Sequence, residues 1–219
     1  IRKCIKHIMM KRTVIGALSL VLAFGMGGNV SAQKTKGGVF DLAGYTLKDG
    51  GALKKGVDES FQGFAIHKGY MVGLYNGGFA SLYKVHPDGT FVRLSTFPLG
   101  SNSKYNHSNV ANFGVEKYQK GDVFPLLYVS QTKTDKEKNL TDACFVERIF
   151  PEGKAELVQT ILLDNHDEYY GWAVQWAIDK KRKRLIGFGN TINNTDPKNN
   201  FRIMVFKLPK LKQGKTVIL

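Results

Sequence analysis

One segment of the chain occurs twice, and this repeat restricts the possible folds more than any other feature. Residues 83–97 line up without a gap on residues 147–161, at an offset of 64 positions. The match centres on His86-Pro87-Asp88-Gly89 and Phe150-Pro151-Glu152-Gly153, each between two strand-like runs. Proline presets φ for the first turn position, and glycine takes the positive φ that other residues resist. Each copy therefore reads as two antiparallel strands joined by a Pro-acid-Gly turn. A weaker third copy runs from a strand-like stretch at 201–208 through a Lys/Gly turn at 209–215 to the beginning of a partner strand at 216–219.

A second hairpin precedes each copy. Gly63-Phe64-Ala65-Ile66 leads through His67-Lys68-Gly69 to residues 70–75, and Val110-Ala111-Asn112-Phe113 leads through an insertion at 114–123 to residues 125–130. In the third unit residues 173–178 lead through a basic turn to residues 184–189. The expected fold is all-β: consecutive four-stranded antiparallel units at about 60–100, 107–163 and 172–219. Repetition at a fixed period signals units that stack face to face. A β-sandwich built from the same strands is the alternative, and the repeat argues against it. The 24 glycines, 14 phenylalanines and nine tyrosines suit short strands and tight turns.

The third hairpin carries a resemblance. Asp179, a short basic turn, then Arg184-Leu185-Ile186-Gly187-Phe188 resembles the first hairpin of a blade in the sequence-divergent family of bacterial exported β-propellers. The resemblance covers about residues 60–219 and implies about three propeller blades with the ring incomplete, since closed rings have four to eight. A piece of a longer propeller, an oligomer and an open partial assembly all fit. Residues 38–47 would supply the strand that completes the last blade of an intact ring. The family spans sugar-lactone hydrolases, lyases, glycan-binding modules and scaffolds, and no lactonase-type metal-ligand set matches here.

Residues 1–32 read as a leader: Lys11-Arg12, an apolar run from Thr13 to Phe24, and Val30-Ser31-Ala32 as a small-residue cleavage site. The apolar run falls short of the ~20 residues of a membrane span, and no Cys follows it for a lipid anchor. The expected mature domain is thus 33–219, periplasmic or secreted, with no stable membrane anchor. The formal charge is +14; removing Arg2, Lys3, Lys6, Lys11 and Arg12 leaves 27 basic against 18 acidic residues, a net of +9. That charge permits weak attraction to anionic glycans, nucleic acid or a membrane surface. Export argues against nucleic acid, and the basic turn from Lys180 to Arg184 reads as an exposed hairpin tip. Cys144 alone remains beyond the leader and reads as a buried strand residue.

In a propeller the innermost strand of each blade lines the channel, and small molecules sit at the face where those strands begin. The residues at comparable points are Gln62 in the first unit, His107, Asn109 and Asn112 in the second, and Trp172, Gln175 and Trp176 in the third. Amides offer donors and acceptors together, and indoles cover apolar sugar faces, so the set suits a carbohydrate or peptide ligand. The same amides equally serve neighbouring backbone groups. Trp172 and Trp176, four apart in a strand pattern, would share one face and equally serve as packing between units. No paired carboxylates for glycoside hydrolysis, phosphate loop, nucleophile elbow or zinc spacing is present, so no cofactor or metal is expected. Asp164, His166, Asp167 and Glu168 form an acidic loop without calcium-loop spacing. The expected function is a binding or scaffold module. The alternative is a hydrolase or lyase at the same face, with His107 as acid/base at a pKa near ~6.5.

Overall fold

The computed structural model describes residues 57–164, 172–191 and 196–219. The leader, the strand expected at 38–47 and the acidic residues 166–168 lie outside the described residues. Those described are all-β, and their only helical element is a single 3-10 turn at Leu211–Gln213. The first sheet is a four-stranded meander of β1 (Phe61–His67), β2 (Tyr70–Tyr75), β3 (Phe79–Val85) and β4 (Phe91–Pro98), hydrogen-bonded in chain order. The second sheet begins with β5 (Ala111–Phe113) and β6 (Leu127–Ser130). A two-stranded ribbon of β7 (Thr134–Asp135) and β8 (Leu140–Thr141) then projects from it before β9 (Cys144–Phe150) and β10 (Lys154–Leu162) complete the meander. The third sheet holds β11 (Trp172–Asp179), β12 (Arg184–Asn190) and β13 (Phe201–Lys207).

The two copies of the repeat adopt one conformation. His86 C=O accepts from Gly89 N–H at 2.9 Å, and Phe150 C=O accepts from Gly153 N–H at 3.0 Å. The two glycines have φ of +89° and +87°, the left-handed conformation that follows a type I turn in a hairpin. The correspondence reaches an irregularity no periodicity reveals. The β3–β4 register slips between Tyr83↔Arg93 and Leu82↔Ser95, and the β9–β10 register slips between Glu147↔Leu157 and Val146↔Gln159. The extra residues, Leu94 and Val158, stand 64 positions apart. Both bulges add twist at the same point of the outer hairpin.

The third unit departs from the expectation. Residues 216–218 form β14 (Thr216–Ile218), which does not return beside β13 but pairs in parallel with β10, Thr160↔Thr216 through Leu162↔Ile218. The second sheet therefore has five strands and the third has three. Gln159, beside the β10 bulge, fixes the returning chain by donating to the Lys210 and Gly214 carbonyls at 3.1 and 2.8 Å.

The second sheet is buried on both faces. Leu127, Val129 and Phe145 join Val72, Leu74, Leu82 and Phe97 of the first sheet in one core. The alternate residues Tyr128, Cys144 and Val146 join Val174, Trp176, Leu185 and Met204 of the third sheet in another. Strand period two delivers successive side chains to the two cores, and each large apolar side chain buried this way contributes roughly 1.5–3 kcal/mol. Cys144 is fully buried, as its sequence context suggests, and burial drives its thiol pKa well up.

Two buried carboxylates tie the sheets by their backbones. Glu147 on β9 accepts the Gly100 and Ser101 N–H groups at 3.0 and 2.9 Å from the segment after β4. Burial raises its pKa, against the opposing bonds from Ser101 and Gly100. Gly100 is needed at this junction, because a Cβ there would collide with the Leu157 backbone nitrogen and lie 2.9 Å from Glu147 Oε2. Asp142, before β9, accepts the Ala173 and Val174 N–H groups at the start of β11; burial pushes its pKa up to about 6, against those two bonds.

Candidate functional site

β1, β5 and β11 lie side by side and run in the same direction. Gly63 on β1 approaches the backbone at Asn109 and Val110 so closely that a Cβ would collide with the Asn109 carbonyl. The His67 and Phe113 rings meet at 5.5 Å near the other ends of β1 and β5. Asn112 Nδ2 donates to the Trp176 carbonyl at 3.3 Å, which joins β5 to β11. The three strands therefore begin together, and the segments before β1 and β5 form one face with the turns that join β2 to β3 and β6 to β7.

His107 is the centre of that face. Its N–H donates to the Gln131 carbonyl at 2.9 Å, which fixes the backbone before β5. Its Nδ1 lies 3.1 Å from Asn76 Oδ1 in the β2–β3 turn, and Lys133 Nζ donates to the same oxygen at 3.1 Å. Asn76 Nδ2 points the other way, to Glu59 Oε2 at 3.4 Å. An ammonium can only donate and a carboxylate can only accept, so Lys133 and Glu59 together orient the amide. With its oxygen toward the ring, Asn76 requires a proton on His107 Nδ1, and Nε2 carries the lone pair of the neutral imidazole. Burial, and then the Lys133 charge, lower the His107 pKa below its usual value. At neutral pH the ring is a base and a hydrogen-bond acceptor beside a fixed cation.

The structure divides the seven residues singled out in the sequence. His107 and Asn109 are neighbours on this face, and Asn109 Oδ1 accepts from Thr132 Oγ1 at 2.7 Å. Gln62 is the extra residue of a bulge in β1, next to Gly63 and half-buried. Asn112 is bound to β11. Trp176 is 1% exposed, donates Nε1–H to the Asp142 carbonyl at 2.8 Å and its backbone N–H to Ser130 Oγ at 2.9 Å. Its indole fills the space left by Gly187, where a Cβ would lie 2.9 Å from the ring. Trp176 thus performs the packing role that its sequence position equally allowed. Gln175, opposite Phe188, belongs to the other face of the third sheet. The alternation expected to relate Trp172 to Trp176 is broken. The β11–β12 register slips between Trp172↔Asn190 and Gln175↔Phe188, and Ala173 has φ +56°.

Glu59, Asn76 and Lys133 were not among the residues the sequence singled out. Asn76 precedes Gly77-Gly78 and reads only as turn chemistry, and Lys133 is one lysine among many. Loops 57 positions apart in the chain meet at Asn76 because the first two sheets pack together. A cavity of about 100 Å³ lies nearby, lined by Ser101, Asn106, Gln131, Asp135 and Lys138 among others. It suits a few waters rather than a sugar ring, since ligand pockets run to ~300–1,000 Å³. A ligand of that size is therefore not housed in this cavity. No protein-family model matches the chain, and no curated protein matches it.

Proposed function

We propose that this chain is a partial β-propeller, with its three sheets as successive blades, and that it is an exported binding module. It takes a carbohydrate or peptide ligand on the face where β1, β5 and β11 begin. The blade reading is supported by the parallel first strands, the cores shared between neighbouring sheets and the bulge repeated at Leu94 and Val158. The ligand reading rests on one observation: His107 and Lys133 converge on Asn76 Oδ1 at 3.1 Å each. A fixed ammonium, a neutral imidazole with a free lone pair and amides offer hydroxyl, amide and carboxylate groups of a ligand both donors and acceptors.

Binding of the full chain to a glycan array and a peptide library tests this. Replacing both groups (His107→Ala with Lys133→Ala) is expected to weaken the bound ligand by at least about tenfold, since each hydrogen bond to a charged group is worth about 1.5–3 kcal/mol. Unchanged binding refutes it. A hydrolase or lyase is the second reading, favoured by the tautomer that leaves His107 Nε2 as a base. Turnover of the captured ligand, read by mass spectrometry and abolished by His107→Gln with binding retained, would select it over simple recognition.

A further inference from the structure

The far ends of β1, β5 and β11 carry a different chemistry from the His107 face. Three connections leave from there: the turn at Lys68-Gly69, the loop 114–123 and the tip after Asp179. Counting Asp179 and Arg184 with them, these segments hold eight Lys and Arg residues against Glu116, Asp122 and Asp179. Two of the three carboxylates are already engaged. Asp122 is held by Arg148 of β9 at 2.7 Å, and Asp179 by Arg182 at 3.1 Å. The cations of all three connections act on one spot: the His67 pKa is lowered first by burial, and then by Lys68, Lys180 and Lys117.

The loop 114–123 adds apolar surface to this field. Val115, Tyr118 and Val123 are 48%, 49% and 47% exposed, interleaved with Lys117 and Lys120. The loop is braced from below. Gly114 N–H donates to the Leu126 carbonyl and Leu126 N–H to the Glu116 carbonyl, both at 2.8 Å, and the Tyr118 ring lies 4.7 Å from the Arg148 guanidinium. Isolated exposed apolar residues are ordinary; three on one braced loop, beside Lys117, Lys120 and the basic 180–184 tip, are a surface with two chemistries. A nucleic acid or an acidic polysaccharide would use the lysines and leave Val115 and Val123 in water. A bilayer with anionic headgroups satisfies both, with ammoniums at the phosphates and the apolar side chains in the interfacial layer.

We propose that this end of the protein docks reversibly on an anionic lipid bilayer, with Lys68, Lys117, Lys120 and the 180–183 tip at the headgroups and Val115, Tyr118 and Val123 inserted. The proposal does not rest on the ligand reading of the His107 face, which lies at the opposite ends of the same strands.

The test is flotation of the full chain with vesicles of phosphatidylcholine, alone or mixed with phosphatidylglycerol. Binding is expected only to the anionic vesicles and is expected to fall as salt rises. The reversal Lys180→Glu, Lys181→Glu, Lys183→Glu should weaken it by at least about tenfold. Val115→Ser, Tyr118→Ser, Val123→Ser should weaken it several-fold while leaving retention on heparin unchanged. The same proteins without residues 1–32 are floated alongside, so that binding by the leader is read separately. If charge reversal changes vesicle binding by less than about twofold, this end is not the docking surface. If the serine variant binds vesicles like the wild type and heparin or duplex DNA competes, the surface serves a polyanion and the bilayer inference fails. Melting curves of both variants confirm that the exposed substitutions leave the fold intact.

Discussion

Asp142→Asn is expected to reverse its effect on stability as pH changes. Asp142 is 4% exposed and its carboxylate accepts two N–H groups of the β11 bulge. Raising a carboxyl from 3.8 to about 6 corresponds to about 3 kcal/mol of preference for the protonated form. Between those values the folded chain holds a proton that the unfolded chain has released, so stability from this group is full below pH 3.8 and is lost as pH rises through about 6. Asparagine keeps the shape and one acceptor oxygen but cannot ionise, and the second N–H loses its partner at a cost of about 1 kcal/mol. The variant should therefore be less stable than the wild type by about 1 kcal/mol near pH 3 and more stable by about 2 kcal/mol near pH 7.5. Glu147, whose pKa is also raised, is present in both proteins and drops out of the difference. Urea unfolding followed through the fluorescence of buried Trp176 gives the two curves. A stability difference constant within about 0.5 kcal/mol over that range, or one that turns toward the wild type as pH rises, would refute the reasoning.

The two repeat glycines should differ in cost. Gly89→Ala meets open space and should lose about 1–2 kcal/mol to its left-handed backbone alone. Gly153→Ala would also drive a methyl into the Ser95 side chain of the neighbouring sheet and should lose about 3 kcal/mol or more. Equal losses in urea titrations would deny that the turn of the second sheet rests on the first. Cys144, fully buried with its thiol pKa raised, should resist thiol reagents in the native protein and label only on unfolding. Mass spectrometry of the Cys144 peptide reads this directly, and fast native labelling would contradict the central position of the second sheet.

The strands and turns were legible in the sequence because their causes are local. Pro87-Asp88-Gly89 and Pro151-Glu152-Gly153 dictate a reversal whatever surrounds them, and the apolar run Cys144-Phe145-Val146 marks a buried strand. The destination of residues 216–218 was not legible. A short apolar strand satisfies its backbone equally beside β13 or beside β10, and the choice turns on Gln159 holding the chain 51 and 55 residues ahead of it. The site shows the same division. His107 stood out as a titratable group before a strand, whereas Asn76 and Lys133 acquire their role only when sheet packing brings their loops together. The choice between the two roles open to Trp176, ligand face or packing, was not legible for a related reason, since its indole N–H is satisfied by a carbonyl from residue 142, which no local pattern announces.

The parallel pairing of β14 changes how the third sheet can open. Two parallel neighbours need a connection that carries the chain back to the end where it started, commonly a dozen or more residues wound through a helix. Between β10 and β14 that return journey is the entire β11–β13 sheet. In connectivity terms this sheet is an excursion with both feet planted on one strand, one through the covalent chain leaving Leu162 and one through the Thr160–Thr216 to Leu162–Ile218 ladder. Fraying from a single loose edge, the ordinary first step of local unfolding, would leave the excursion anchored at its other foot. Its amides should exchange with solvent in one concerted event coupled to release of β14, and not strand by strand from β13 inward.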